Sequence, residues 1–160
     1  MKSIKYALLL VLILFSVNFI IAETGNKHVS DSTSDDLTGE VIILNKADFL
    51  KKIYNYEKNK EKWVYEDTIP CIIDFYADWC GPCKIVDPIL KQLAKDYKGK
   101  IIIYKINVDN ERELARAFRI GSIPTYLFIP AKGDPQPAMG AMPRESFVKI
   151  IDEFLLKKPD

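Results

Sequence analysis

The tightest constraint on this chain is the stretch Trp79-Cys80-Gly81-Pro82-Cys83-Lys84, where two thiols fall at a change of periodicity. Before it, Cys71-Ile72-Ile73-Asp74-Phe75-Tyr76-Ala77 is an apolar run of strand type. After it, Ile85, Val86, Ile89, Leu90, Leu93, Ala94 and Tyr97 recur at helical spacing, with Lys84, Lys91, Lys95 and Lys98 largely opposite. The cysteines therefore stand where a strand turns into a helix. The first turn of a helix offers unpaired N–H groups and the positive end of its dipole. A thiolate is stabilised there, and its pKa falls. The two intervening residues let the second sulfur close a small disulfide ring, so the pair can switch between dithiol and disulfide. Pro82 fits the first turn, Pro88 should kink the helix interior, and Gly99 ends the helix.

Further motifs follow in order. Asp74 interrupts the apolar strand; Lys105-Ile106-Asn107-Val108-Asp109 closes another, Ile101 to Val108; Gly121-Ser122-Ile123-Pro124-Thr125 leads into Tyr126-Leu127-Phe128-Ile129; a late glycine stands at Gly140. Together with the Cys80/Cys83 stretch and Pro88, this set resembles the thioredoxin family, in particular its exported, periplasmic bacterial members. The resemblance covers roughly Glu40 to Leu156. It departs from the pattern at Tyr76, where many thioredoxins carry tryptophan, and in a longer segment before Pro70.

The resemblance implies an α/β thioredoxin fold: a single domain with a central mixed β-sheet flanked by helices on both faces. It implies that Cys80 is the nucleophile and Cys83 the resolving thiol, with Asp74 taking the proton from Cys83. Lys105 would approach Asp74 and moderate its charge. Trp79, Gly81 and Pro82 would shape the turn, and Ile123, Pro124 and Gly140 would border the substrate groove, with the prolyl bond at Pro124 cis. The residues alone leave other readings open. Asp74 could reach water at a strand end, Lys105 could snorkel, and Pro124 could be an ordinary trans proline at a strand start. Against the first, Asp74 lies mid-run; an ionised carboxylate buried there is costly, which favours a raised pKa.

A chain of 160 residues is one domain plus extras, and its apolar share of 48% suffices for a core. The net charge of +1 gives no electrostatic argument for nucleic acid or an anionic membrane surface as partner. Three cysteines make one pair and one spare, which is no disulfide scaffold. Cys71, the spare, reads as a buried, inert core thiol.

Residues 1–22 read as an export signal: Lys2 and Lys5, then an unbroken apolar run from Ala7 to Phe15, with Ala22 as the last residue before a cut. An uncleaved anchor is the rival, since Ile4 to Ala22 could span a bilayer if Lys5 snorkels, although Asn18 weakens it. Residues 23–39 are a polar, flexible linker holding the only histidine, His28. The domain is expected over 40–158. Val41 to Leu44 reads as its first strand. Asn45 caps a helix from Lys46, with Asp48 reaching back and Ala47, Leu50, Ile53 and Tyr54 as its stripe. Asn55 to Thr68 reads as an elongated end of that helix whose aromatics, Trp63 and Tyr65, cover the domain; a partner-binding extension is the alternative. Asn110 and Glu113 suggest a capping box for a helix to about Arg119, and Gly121 the turn after it. Ala131 to Pro137 reads as a turn, Ala138 to Ala141 as an edge strand, and Phe147, Ile150, Ile151, Phe154 and Leu155 as a final helix begun near Pro143.

The expected activity is reduction of protein disulfides in an exported, periplasmic compartment, with a membrane or soluble electron donor and no cofactor beyond the Cys80/Cys83 disulfide. Nothing in the sequence demands more than a monomer. An exported oxidase or isomerase is the alternative within the same chemistry. A zinc module lacks a ready set of four soft ligands. A non-catalytic binding module on the same fold would typically have lost a cysteine or the aspartate, and this chain keeps both.

Overall fold

A computed structural model describes residues 39–157. The leader at 1–22, His28 and all but the last residue of the 23–39 linker lie outside the described residues, as does residue 158 of the expected domain. Five strands form one sheet: β1 (Val41–Ile43), β2 (Cys71–Tyr76), β3 (Ile102–Asn107), β4 (Thr125–Ile129) and β5 (Gln136–Met139). Their order is β1-β3-β2-β4-β5. The first three are parallel, and β4 and β5 join antiparallel, so the sheet is mixed. The helices are α1 (Lys46–Lys52), α2 (Gly81–Asp96), α3 (Arg112–Ala117) and α4 (Arg144–Ile150), the last widening into a π-helical stretch over Ile151–Leu155.

Alternation along β2 explains the layers. Cys71, Ile73 and Phe75 pack on one face with Phe49 and Ile53 of the α1 region and Leu114 of α3. Ile72 faces the other way, among Val86, Leu90 and Leu93 of α2 and Phe147 and Ile151 at the C-terminal helix. A strand covered on both faces has no use for polar alternation, hence the near-continuous apolar run. Asp74 sits within that run and is only 2% exposed.

Several expectations need correction. Asn55 to Thr68 is not an elongated helix. The Lys58 amide donates to Asn55 Oδ1, the Tyr54 hydroxyl donates to the Asn59 carbonyl and the Tyr65 hydroxyl to that of Ile69. These local bonds close turns in place of helix. The aromatic cover is real: Tyr54, Tyr56, Trp63 and Tyr65 pack against the core, with Tyr54 and Trp63 ring centroids 4.4 Å apart. The capping box at Asn110 does not form. α3 begins at Arg112 after Glu111, which makes no side-chain cap bond. Glu111 instead accepts the Lys46 amide at 3.1 Å, and Glu113 takes the Lys46 ammonium, so both acids tie α3 to α1. The positive φ in the next turn falls on Arg119, at 52°, not on Gly121. β5 starts two residues early, at Gln136, and carries Pro137, which an edge strand tolerates. Ile85 is 68% exposed, because the buried stripe of α2 runs through Cys83, Val86, Leu90, Leu93 and Ala94 and leaves it to one side.

Other expectations hold. The Asp48 amide donates to Asn45 Oδ1 at 2.8 Å, capping α1. Gly99 takes φ +75° after α2, where a side chain would be strained. Gly39, at φ +74°, lies against the far end of α2; a Cβ there would stand 3.1 Å from the Ala94 carbonyl oxygen and Lys95 Cα.

Candidate active site

Cys80 is the N-cap residue of α2, with extended backbone at φ −77° and ψ 107°. Its sulfur accepts the Cys83 amide at 3.2 Å. Gly81 and Pro82 fill the first two helical positions, where proline forfeits no intrahelical bond. A disulfide joins Cys80 to Cys83, whose Cα atoms are 5.3 Å apart. The sulfur of a reduced Cys80 would meet the Cys83 N–H and the helix N-terminus, both of which favour the thiolate. Cys80 is more enclosed than expected for a nucleophile: in the disulfide form it is only 3% exposed, under Ala77 and Ile123.

The strand before the helix, β2, carries the buried carboxyl of Asp74 in its middle. Register sets Asp74 beside Lys105 of β3 and beside Tyr126 of β4, all on the α2 face of the sheet. Burial pushes the Asp74 carboxyl up to about 7; Lys105 pulls it down and Asp87 pushes it up. One of its oxygens, Oδ1, has no hydrogen-bond partner, nor has the buried Tyr126 hydroxyl.

Lys105 reaches Asp74 only at 3.9 Å. Its direct partner is Asp87 of α2, one turn beyond Cys83, and its ammonium also lies 4.1 Å from the Tyr76 ring centroid. Asp87 binds Lys91 through its other oxygen at 2.6 Å. Burial alone would raise the Asp87 carboxyl, but hydrogen bonds from Lys105 and Lys91 outweigh it and hold it below its ordinary value. Sequence reasoning missed Asp87. The available signal was its i, i+4 spacing from Cys83. Cys83, Asp87 and Lys105 line a cleft of about 250 Å³ that opens beside Lys84.

Of the remaining predicted residues, Ile123 packs against the Cys80 and Cys83 cluster. Trp79 is 69% exposed, and its indole N–H donates to Asp109 Oδ2 at 2.8 Å, a partner the sequence did not suggest. The Ile123–Pro124 peptide bond is cis. The Gly140 amide, at φ +85°, donates to the Pro124 carbonyl at 2.8 Å, which pins the end of β5 against this loop. Met139 beside it is 72% exposed. Cys71 takes no part. It is wholly buried, and burial pushes its thiol up to about 12, although the neighbouring Tyr65 works the other way. Among the described residues, no group of three or more His, Cys, Asp or Glu could hold a metal ion. No helix among them is long and apolar enough to cross a membrane.

Comparison with known proteins gives a consistent neighbourhood. The family model described as Thioredoxin matches residues 40–153. A thioredoxin of Borreliella burgdorferi is 42% identical over 113 residues, which cover 71% of this chain and 96% of that one. The chloroplastic M-type thioredoxin of Spinacia oleracea is 33% identical over 131 residues, 81% of this chain and 72% of its own. A crystal structure of chloroplastic thioredoxin z superposes with a TM-score of 0.61 at 25% identity, covering 71% of this chain and 93% of that one.

Proposed function

The chain belongs to the thioredoxin family, and from that premise we propose that it is an exported reductant of protein disulfides. Thioredoxins are protein-disulfide oxidoreductases that act on disulfide-containing proteins and need no cofactor beyond their redox disulfide. The observation that carries the assignment to these residues is the Cys80–Cys83 disulfide at the start of α2, the helix that packs on the same face of the sheet as the buried Asp74.

The steps follow from that arrangement. In the reduced protein the Cys80 thiolate attacks one sulfur of a substrate disulfide. A Cys80–substrate S–S bond forms, the substrate's own S–S bond breaks, and its other sulfur leaves with the bonding pair. Cys83 gives its proton to the Asp74 carboxylate, and its thiolate attacks the Cys80 sulfur. The mixed disulfide breaks, and the second substrate sulfur leaves. Both substrate thiolates take protons from solvent. Two electrons have passed from the dithiol to the substrate, and the Cys80–Cys83 disulfide remains. A carboxyl titrating near 7 suits the transfer at neutral pH.

Direction and compartment rest on sequence. The Gly81-Pro82 pair between the cysteines supports a reductant, and the apolar leader at 1–22 supports export. In an oxidising compartment the pair would need a membrane or soluble electron donor to restore the dithiol. Thioredoxin-type and strongly oxidising C-x-x-C pairs lie about 150 mV apart, about 7 kcal/mol for two electrons, so the potential decides direction. The test uses the full chain expressed in a bacterium and recovered from the exported fraction. Wild type should reduce insulin with dithiothreitol as electron source, Cys80→Ser should not, and the couple should lie near −270 mV, about where thioredoxin does. A value near −120 mV would make the protein an oxidant. Equal activity in both proteins, or none in either, would leave a binding module. Recovery from the cytosol alone would remove the compartment.

A further inference from the structure

Several elements surround the cleft that Lys105 lines, and the sheet sets Lys105 next to Asp74. β3 brings Lys105 and β4 brings Tyr126, each in direct register with it. α2 brings Cys83 and Asp87, with Lys84 and Lys91 on its exposed side. The loop after β2 brings Asp78, which accepts a hydrogen bond from Asn107. The C-terminal helix adds only apolar Phe147 and Ile151 to this layer.

Register alone would give the Lys105 ammonium to Asp74, its neighbour on the next strand. It goes elsewhere. Nζ is in direct contact with Asp87 Oδ1 and stands 3.9 Å from Asp74 Oδ2, beyond hydrogen-bond range. Asp87 is in turn fixed by Lys91 on its second oxygen. The buried carboxyl is left with one oxygen unpartnered and the other in a long ion pair only, 3.9 Å from the Lys105 ammonium.

We propose that Asp87 is a positioning residue of the thiol relay: it draws the Lys105 ammonium into its own ion pair and so prevents that charge from locking Asp74 as a carboxylate. The inference rests on the dithiol reading of Cys80 and Cys83. Its use lies in the return half of the cycle. When a donor thiolate attacks Cys80, a donor–Cys80 bond forms, the Cys80–Cys83 bond breaks, and Cys83 leaves with the electron pair. A protonated Asp74 can supply the proton, directly or through water. A carboxylate held in contact with Lys105 cannot. A neighbouring opposite charge lowers a carboxyl by about 1–3 units, and an ammonium bonded to Asp74 alone would act at the strong end of that range and empty it of its proton at neutral pH. The same lysine at 3.9 Å, its charge shared with Asp87, leaves Asp74 titrating near 7.

The experiment follows the carboxyl carbon of Asp74 by nuclear magnetic resonance across pH in the oxidised full-length protein. In Asp87→Asn the titration midpoint should fall by about one unit or more. The pH profile for reduction of the disulfide by dithiothreitol should move the same way. Asp87→Glu should restore both. Asp87→Ala repeats the measurement should the amide variant fold poorly. A midpoint that stays put, or a loss of thermal stability without any movement of midpoint and profile, overturns the proposal. If wild type reduces insulin and the midpoint is unmoved, Asp87 alone has been misassigned; if wild type reduces nothing, the dithiol reading itself has failed.

Discussion

Asp74 sets a stability that runs against pH. An ordinary aspartate loses its proton near 3.8, whereas this one holds it to about 7 because burial disfavours the charge. Below about pH 4 both folded and unfolded chains are protonated, and no penalty exists. Between 4 and 7 the unfolded chain has released the proton and the folded one keeps it, so stability falls as pH rises; above 7 the penalty is complete. At ~1.4 kcal/mol per unit, the full penalty is a few kcal/mol. Asp74→Asn should therefore resist urea better than wild type at pH 8, with the difference shrinking steadily towards pH 4, while it slows disulfide exchange. A difference that is the same at every pH would show that Asp74 is not a buried acid of this kind. Both cysteines and Asp74 were legible in the sequence because each breaks an otherwise regular pattern. Asp87 was not, since a carboxylate four residues before a lysine on a helix looks like any surface pair. Only the fold reveals that a strand lysine arrives from the other side.

At the scale of elements, α2 is fixed at both ends by different means. Its start is set by the Cys80 cap, and its far end packs on Gly39, two residues before β1. Gly39→Ala forces a Cβ to within 3.1 Å of two backbone atoms at a φ of +74°. The expected loss is about 1–3 kcal/mol, read as a lower urea midpoint, with the redox potential of the disulfide unchanged because the other end of the helix is untouched. The strands and α2 were readable because apolar alternation and helical stripes each continue over several turns or pleats. α3 was misread because Glu111 and Glu113 spend their carboxylates on Lys46, a residue 65 positions away from Glu111 in sequence. The stretch after α1 was misread because tyrosine hydroxyls closing turns on backbone carbonyls leave no periodic mark.

For the molecule as a whole, Cys71 is a built-in reporter. It lies on β2, the middle strand of the sheet, wholly buried, with its thiol pushed up to about 12. In the oxidised protein iodoacetamide should find no thiol under native conditions and one in strong urea, at a rate that follows global unfolding. Fast labelling of the native protein would reveal a local opening of the sheet.

The loop beside the disulfide carries one more consequence. Ser122 offers its carbonyl to the Thr125 hydroxyl, and Pro124 offers its own to Gly140. Among the described residues, Ile123 between them keeps both its amide and its carbonyl unspoken for. An extended peptide passing along this loop would find a handhold one residue long. Such a grip can align a chain but cannot spell out its sequence. Discrimination would then fall to bare side chains such as Met139, which is exposed and lies against Ser122 of this loop, and to how readily each visiting disulfide accepts electrons.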